Sequence, residues 1–201
     1  MVARIIALTV AAYFRLTSSI YLKINRVKTS GRVRLSGFPL IKNKGNISLG
    51  SGSDFRSLSL FTALGVTNPC VLNTLISSSE IIIGRDCGVS GAVICAKERV
   101  AIGARVQIGS GAVICDTDFH PIDYKIRGND DDLILAESSP VSIGDDCFIG
   151  ARAMILKGVS VGAHSIVGAG SVVTKNVPAN VVVAGNPAKT VSYTHLRAHE
   201  T

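Results

Sequence analysis

The sequence predicts an all-β fold, a parallel β-helix, from three observations: a six-residue aliphatic period, a glycine slot beside it, and a second slot confined to small residues. The anchors run Ile143, Ile149, Ile155, Val161, Val167 and Val173. A strand repeats every two residues and a helix every 3.6, so a sustained step of six describes short strands joined by tight corners, each turn stacked on the last. After each anchor come Gly144, Gly150, Leu156, Gly162, Gly168 and Thr174, mostly glycine, as expected where only a small residue fits at a bend. Four residues after each anchor stand Cys147, Ala153, Val159, Ser165, Ser171 and Val177, all small enough for a second inward slot.

The same pattern recurs upstream at Ile83-Gly84, Val89-Ser90, Ile102-Gly103, Ile108-Gly109 and Ile114-Cys115. It weakens further back, where Leu58, Leu64, Cys70, Ile76 and Ile82 still step by six. Residues 41–190 are therefore expected to form one stack of coils, roughly three hexads each, giving about seven turns at the ~4.8 Å spacing of neighbouring strands. A chain of 201 residues forms one domain on this reading. Tryptophan is absent and aromatics are 5%, while hydrophobic residues reach 47%, the composition of a narrow coil filled by aliphatic wedges. The five cysteines form no CxxC pair, and Cys87 and Cys147 fall in the small slot; buried reduced thiols are expected, which fits a cytoplasmic protein.

Nine basic residues and no acidic one precede Asp54, so the first 53 residues carry the whole +7 excess. Residues 1–40 are read as a basic N-terminal cap with a short helical segment. It either covers the open edge of the solenoid or rests as an amphipathic helix on anionic lipid at the inner face of the membrane. Arg15 interrupts the apolar opening, which argues against a spanning helix. No aromatic-basic interleaving accompanies the charge, so nucleic acid is not an expected partner.

The register breaks once, over one extended loop. After Ile114-Cys115 the chain reads Asp116-Thr117-Asp118-Phe119-His120-Pro121-Ile122-Asp123, then a polar acidic stretch, and the repeat resumes near Val141. An irregular insert in a regular rod is as a rule functional. His120 stands at its root, four residues past Asp116 and two past Asp118, so either carboxylate is a candidate to fix the tautomer of a general base. On its own, a loop histidine is more often an ordinary surface residue.

The hexads, the Asp-Thr-Asp-Phe-His-Pro-Ile-Asp run at 116–123, Ile155-Leu156-Lys157-Gly158-Val159, Val177-Pro178-Ala179-Asn180 and Ala184-Gly185-Asn186-Pro187-Ala188 resemble the hexapeptide-repeat acyltransferases. The likeness covers about residues 70–190 and is strongest to the branch of maltose, galactoside and surface-polysaccharide O-acetyltransferases. It implies a left-handed helix and a homotrimer, with acetyl-CoA as co-substrate in a groove between subunits and no metal. It implies His120 as catalytic base and a substrate side formed by Ser90, Asp118 and Arg127, with Ser90 replacing the family's asparagine. Cofactor contacts map to Ala151, Ala169, Thr174 and Lys175. The implied function is acetyl transfer to a hydroxyl of a sugar or glycan in bacterial surface polysaccharide synthesis. The alternatives are serine O-acetyltransferase-like chemistry and a non-enzymatic solenoid scaffold. Residues 191–201 fit no hexad and read as a non-native tail, which removes His195 and His199 from any metal argument.

Overall fold

All six anchors from Ile143 to Val173 point inward and are buried, and so are all six small-slot residues from Cys147 to Val177. The computed structural model describes residues 2–129 and 131–193, with side chains described for 8–129 and 131–192. Its core is a left-handed parallel β-helix of triangular section. After helix α1 (Val2–Ile24), successive coils run β1 (Val27–Thr29), β2 (Arg34–Ser36), β3 (Leu40–Asn43), then β4 (Asn46–Leu49), β5 (Asp54–Arg56), β6 (Val71–Thr74), then β7 (Glu80–Ile83), β8 (Gly88–Ser90), β9 (Val93–Ala96). The later coils are β10 (Arg99–Ile102), β11 (Gln107–Ile108), β12 (Val113–Cys115), then β13 (Val141–Ile143), β14 (Phe148–Ile149), β15 (Met154–Ile155), then β16 (Ser160–Val161), β17 (Ile166–Val167), β18 (Val172–Val173). Every third strand pairs in parallel, so the chain builds three sheets, A from β1 and its successors, B from β2 and C from β3. A partial coil follows, in which Val177 bridges Val161, β19 (Val181–Gly185) joins sheet B and β20 (Ala188–Tyr193) returns antiparallel against it.

The glycine slot has a direct cause. A β-carbon on Gly150 would lie 2.5 Å from the backbone nitrogen of Ala169 in the next coil, closer than real contacts allow. The core column is continuous, from Val33 and Ile47 through Ile81, Ile94, Ile114 and Ile149 to Val183. Each fully buried Ile or Val contributes about 1.5–3 kcal/mol.

Three expectations change. The stack begins at Val27, before residue 41, because the first coil lacks the readable pattern: Thr29 aligns with Leu49 and Ile83, so a polar residue fills an anchor position. The six-step through Leu58 and Leu64 is coincidental. Both are exposed in a second insert, residues 57–70, which leaves the corner between sheets B and C around a single 3-10 turn, Ser59–Phe61. The N-terminal helix is long, spanning 23 residues. At the other end, 191–193 belong to β20, while the remaining tail with His195 and His199 lies outside the described residues.

One face of α1 caps the first coil. Phe14, Ser18 and Leu22 are buried, Phe38 stacks on Tyr21 with ring centres 4.4 Å apart, and the Tyr21 hydroxyl donates to the Pro39 carbonyl at 2.6 Å. At the opposite end the β19–β20 hairpin extends sheet B, while β16 and β18 are the last strands of sheets A and C.

All five cysteines are buried and unpaired. Burial raises every thiol above its ordinary value, and Cys95, with Asp116 and Cys115 adding to the burial effect, is pushed up to about 12. Thiolate is the reactive form. Titration of the native protein with an aromatic disulfide is therefore expected to find no fast-reacting thiol, with all five appearing only on unfolding.

Candidate active site

The main insert, residues 116–140, leaves the corner between sheets C and A below β12 and is held at both ends. At its root the Asp116 carboxylate accepts from the backbone N–H groups of Lys97, Glu98 and Arg99 at 2.6–2.7 Å, bridging to the turn of the coil above. Burial raises this carboxyl above the usual range, and the three donors pull it partly back. At the far end the largely buried Lys97 ammonium donates to the carbonyls of Ile134 (3.0 Å) and Ala136 (2.6 Å), closing the short helix α2 (Asp132–Leu135) onto the coil. Asp116→Asn replaces one acceptor oxygen with a donor facing an N–H. It is expected to destabilise the fold by about 1–3 kcal/mol, read as a lower Tm in thermal unfolding.

His120 lies between these anchors. Its Nδ1 is 2.6 Å from Asp132 Oδ2, and Asp132 also accepts from the backbone N–H groups of Gly128 (2.9 Å) and Asn129 (3.2 Å). The hydrogen bond from His120, followed by that from Gly128, holds the Asp132 carboxyl below the ordinary carboxylate range. An ionised carboxylate only accepts, so Nδ1 carries the proton and the Nε2 lone pair is left for chemistry. The preceding residue, Phe119, adopts φ +65°, a left-handed conformation that costs a non-glycine residue roughly 1 kcal/mol and turns the chain toward the imidazole.

The orienting carboxylate is therefore neither of the two expected from spacing. Asp116 is buried beneath the turn it caps, and Asp118 forms an ion pair with Lys157 at 2.6 Å. Lys157 also pairs with Glu137 at 2.6 Å, and these two carboxylates raise its ammonium above the usual lysine range. Arg127 is exposed but engaged: Nε donates to the Pro121 carbonyl and Nη2 to that of Ile122, fastening the loop just past His120. Asp132 carries no spacing signal, and Lys97 reads as one more surface lysine until the insert folds over it.

The remaining expected site residues separate onto two edges of the prism. Thr174 and Lys175 follow β18 on the same C-to-A edge as the His120 insert, and both are exposed. Ser90 at the end of β8, Ala151 after β14 and Ala169 after β17 stack on the B-to-C edge. There Ala151 and Ala169 line an open cleft of about 700 Å³ with Arg152 and the 57–70 insert, which is latched by Ser110 Oγ donating to the Gly65 carbonyl at 2.8 Å. The chain thus places His120, Asp118 and Arg127 on one insert and leaves Ser90, Ala151 and Ala169 on another edge. The His120 side chain is 63% exposed, an open position for a base. Among the described residues no group of three His, Cys, Asp or Glu side chains is placed to hold a metal ion.

Comparison with known proteins agrees with this architecture. The family model described as the hexapeptide repeat of succinyl-transferase matches residues 140–175. The galactoside O-acetyltransferase of Escherichia coli strain K12 is 38% identical over 92 residues, 46% of this chain and 43% of that one. A 2,3,4,5-tetrahydropyridine-2,6-dicarboxylate N-acetyltransferase of Staphylococcus aureus strain JH9 is 44% identical over 89 residues, 44% of this chain and 31% of that one. The chain thus spans less than half the length of these curated relatives. Among solved structures, the N-acyltransferase AntD from Bacillus cereus in complex with dTDP and 3-hydroxybutyryl-CoA superposes with TM-score 0.67 at 19% identity, covering 87% of each chain. A galactoside acetyltransferase in complex with coenzyme A gives 0.57 at 23%, covering 96% of this chain and 81% of that one. At these identities the superpositions speak for the fold. With the hexads buried as their period requires and the repeat model matched over residues 140–175, the chain carries the hexapeptide repeat in a parallel β-helix and is similar, over less than half its length, to these acetyltransferases.

Proposed function

We propose that the protein is an acetyl-CoA-dependent O-acetyltransferase that modifies a sugar hydroxyl, in the assembly of bacterial surface polysaccharide. The observation that carries this reading is the His120–Asp132 pair, a general base with its tautomer set, on an insert pinned by Asp116 and Lys97. Its Nε2 would take the proton from the acceptor hydroxyl as the oxygen attacks the thioester carbonyl. The same proton then goes to the departing thiolate, so the base is regenerated. Donors aimed at the carbonyl oxygen, where negative charge develops, would add to this, with a backbone N–H near Ala151 and the Ser90 hydroxyl as candidates.

The division of the site between two edges supports a homotrimer. If the C-to-A edge of one subunit meets the B-to-C edge of its neighbour, His120, Asp118 and Arg127 face Ser90, Ala151 and Ala169 across the interface, and the exposed imidazole becomes enclosed. The stacked Gly150-Ala151 and Gly168-Ala169 corners leave room for a slender acyl-CoA arm in the adjoining cleft. Lys175, exposed and in no ion pair among the described residues, suits a CoA phosphate. Reduced buried thiols fit a cytoplasmic enzyme.

Release of free CoA from acetyl-CoA, followed with galactosides, maltose, amino sugars and serine as acceptors, tests the reading. Release that depends on a hydroxyl sugar is the expected result. Dependence on serine or on an amine would move the acceptor class, and no acceptor-dependent release at all would leave a scaffold.

A further inference from the structure

We infer that α1 is a membrane-surface anchor whose outward face lies on a bilayer containing anionic lipid, with Arg15, Arg32 and Arg34 taking headgroup phosphates. This is independent of the acyl-transfer reading. It rests on how α1 divides its faces. Phe14, Ser18 and Leu22 fix the helix against the first coil, so it cannot roll to hide its other side. Away from that face Leu16, Ile20 and Ile24, four residues apart, are 77%, 62% and 74% exposed, and Leu8, two turns earlier and nearer the first coil, is 65% exposed. An exposed apolar run of this kind is seldom left bare in water.

Charge selects the occupant. Beside the stripe, Arg15 of α1 joins Arg32 and Arg34 of the first coil around a cleft of about 630 Å³ that Leu8 and Ala12 also line. None of the three arginines forms an ion pair among the described residues, and no acidic residue precedes Asp54. Cations flanking exposed leucine and isoleucine match a lipid surface, where acyl chains receive the stripe and phosphates the guanidinium groups. A second copy of α1 would bring like charges together, and a nucleic acid would leave the stripe uncovered. Among the described residues no helix is long and apolar enough to cross a membrane, so the contact lies in the interface plane.

The test is co-sedimentation of the full chain with vesicles of phosphatidylcholine alone and of phosphatidylcholine with phosphatidylglycerol. Binding is expected only with phosphatidylglycerol and is expected to weaken as salt rises. Arg15→Gln/Arg32→Gln/Arg34→Gln should lower the partition coefficient by about 10²-fold, roughly fivefold per residue. Leu16→Ser/Ile20→Ser should abolish binding, with the melting temperature of both variants unchanged because the buried face is untouched. Absent or equal binding to the two vesicle types overturns the inference, as does binding by both variants that matches the unaltered protein. A changed oligomeric state of Leu16→Ser/Ile20→Ser in analytical ultracentrifugation, with vesicle binding intact, assigns the stripe to a second copy and also overturns it.

Discussion

His120→Ala is expected to lower sugar-dependent CoA release by about 10²–10⁴-fold while leaving the melting temperature close to that of the unaltered protein. The two effects separate because the imidazole is 63% exposed: it fills no core volume, and its one polar contact among the described residues is to Asp132. Removing it leaves the Asp132 carboxylate with the Gly128 and Asn129 N–H groups, enough to keep α2 and the loop in place. The acceptor hydroxyl would then have no base within reach, and water is a poor substitute at neutral pH. A melting temperature that falls in parallel with activity would instead make His120 a structural residue of the loop.

Asp132→Asn is expected to lower turnover by about 10- to 100-fold, less than the loss of the base itself, because it acts through His120. Asparagine keeps one acceptor oxygen, but the charge that fixes the proton on Nδ1 is gone, and the imidazole is free to take the unproductive tautomer. The fall should appear in kcat, with KM for acetyl-CoA little changed. The acid response gives a second readout. Because the folded Asp132 carboxyl titrates below its ordinary range, its contribution to stability is fully present above that range and is lost as pH falls through the folded value. The melting-temperature difference between the unaltered protein and Asp132→Asn is therefore expected to be present above the ordinary carboxylate range and to be lost in strong acid. A difference that persists undiminished in strong acid would contradict the pairing.

The sequence made the coils legible wherever stacked neighbours impose the same steric demand on every turn. From Ile83 onward, anchor, glycine and small slot recur because each coil presses on the next at backbone distance, as Gly150 does on Ala169. Where that demand lapses the pattern becomes unreadable or misleading. Thr29 fills an anchor position in the first coil, and Leu58 and Leu64 keep a six-step through a loop that buries neither. His120 was visible as a candidate base because a histidine at the root of an insert is unusual in such a rod. Its partner was hidden because Asp132 reaches His120 only when the insert folds back through α2. That closure depends on Lys97, whose role comes from carbonyls 37 and 39 residues away in the chain. The nearer carboxylates, Asp116 and Asp118, are drawn to other partners, one to a turn of the coil above and the other to Lys157.

The two-faced helix shows the same limit from another side. A basic, apolar N-terminus is compatible with an edge cap and with a lipid-facing surface, and α1 has a separate face suited to each. Composition reports the sum of the two faces, and only the packing of Phe14 and Leu22 against the first coil separates them.

The central claim, that His120 is a general base oriented by Asp132, is tested most directly by a double-mutant cycle on sugar-dependent CoA release. His120→Ala, Asp132→Asn and the combined variant would be compared with the unaltered protein. The account predicts that Asp132→Asn costs nothing further once His120 is alanine, since an orienting residue has no effect without the group it orients. Losses that multiply, each substitution keeping its full effect in the other's presence, would show two independent contributions and contradict the pairing.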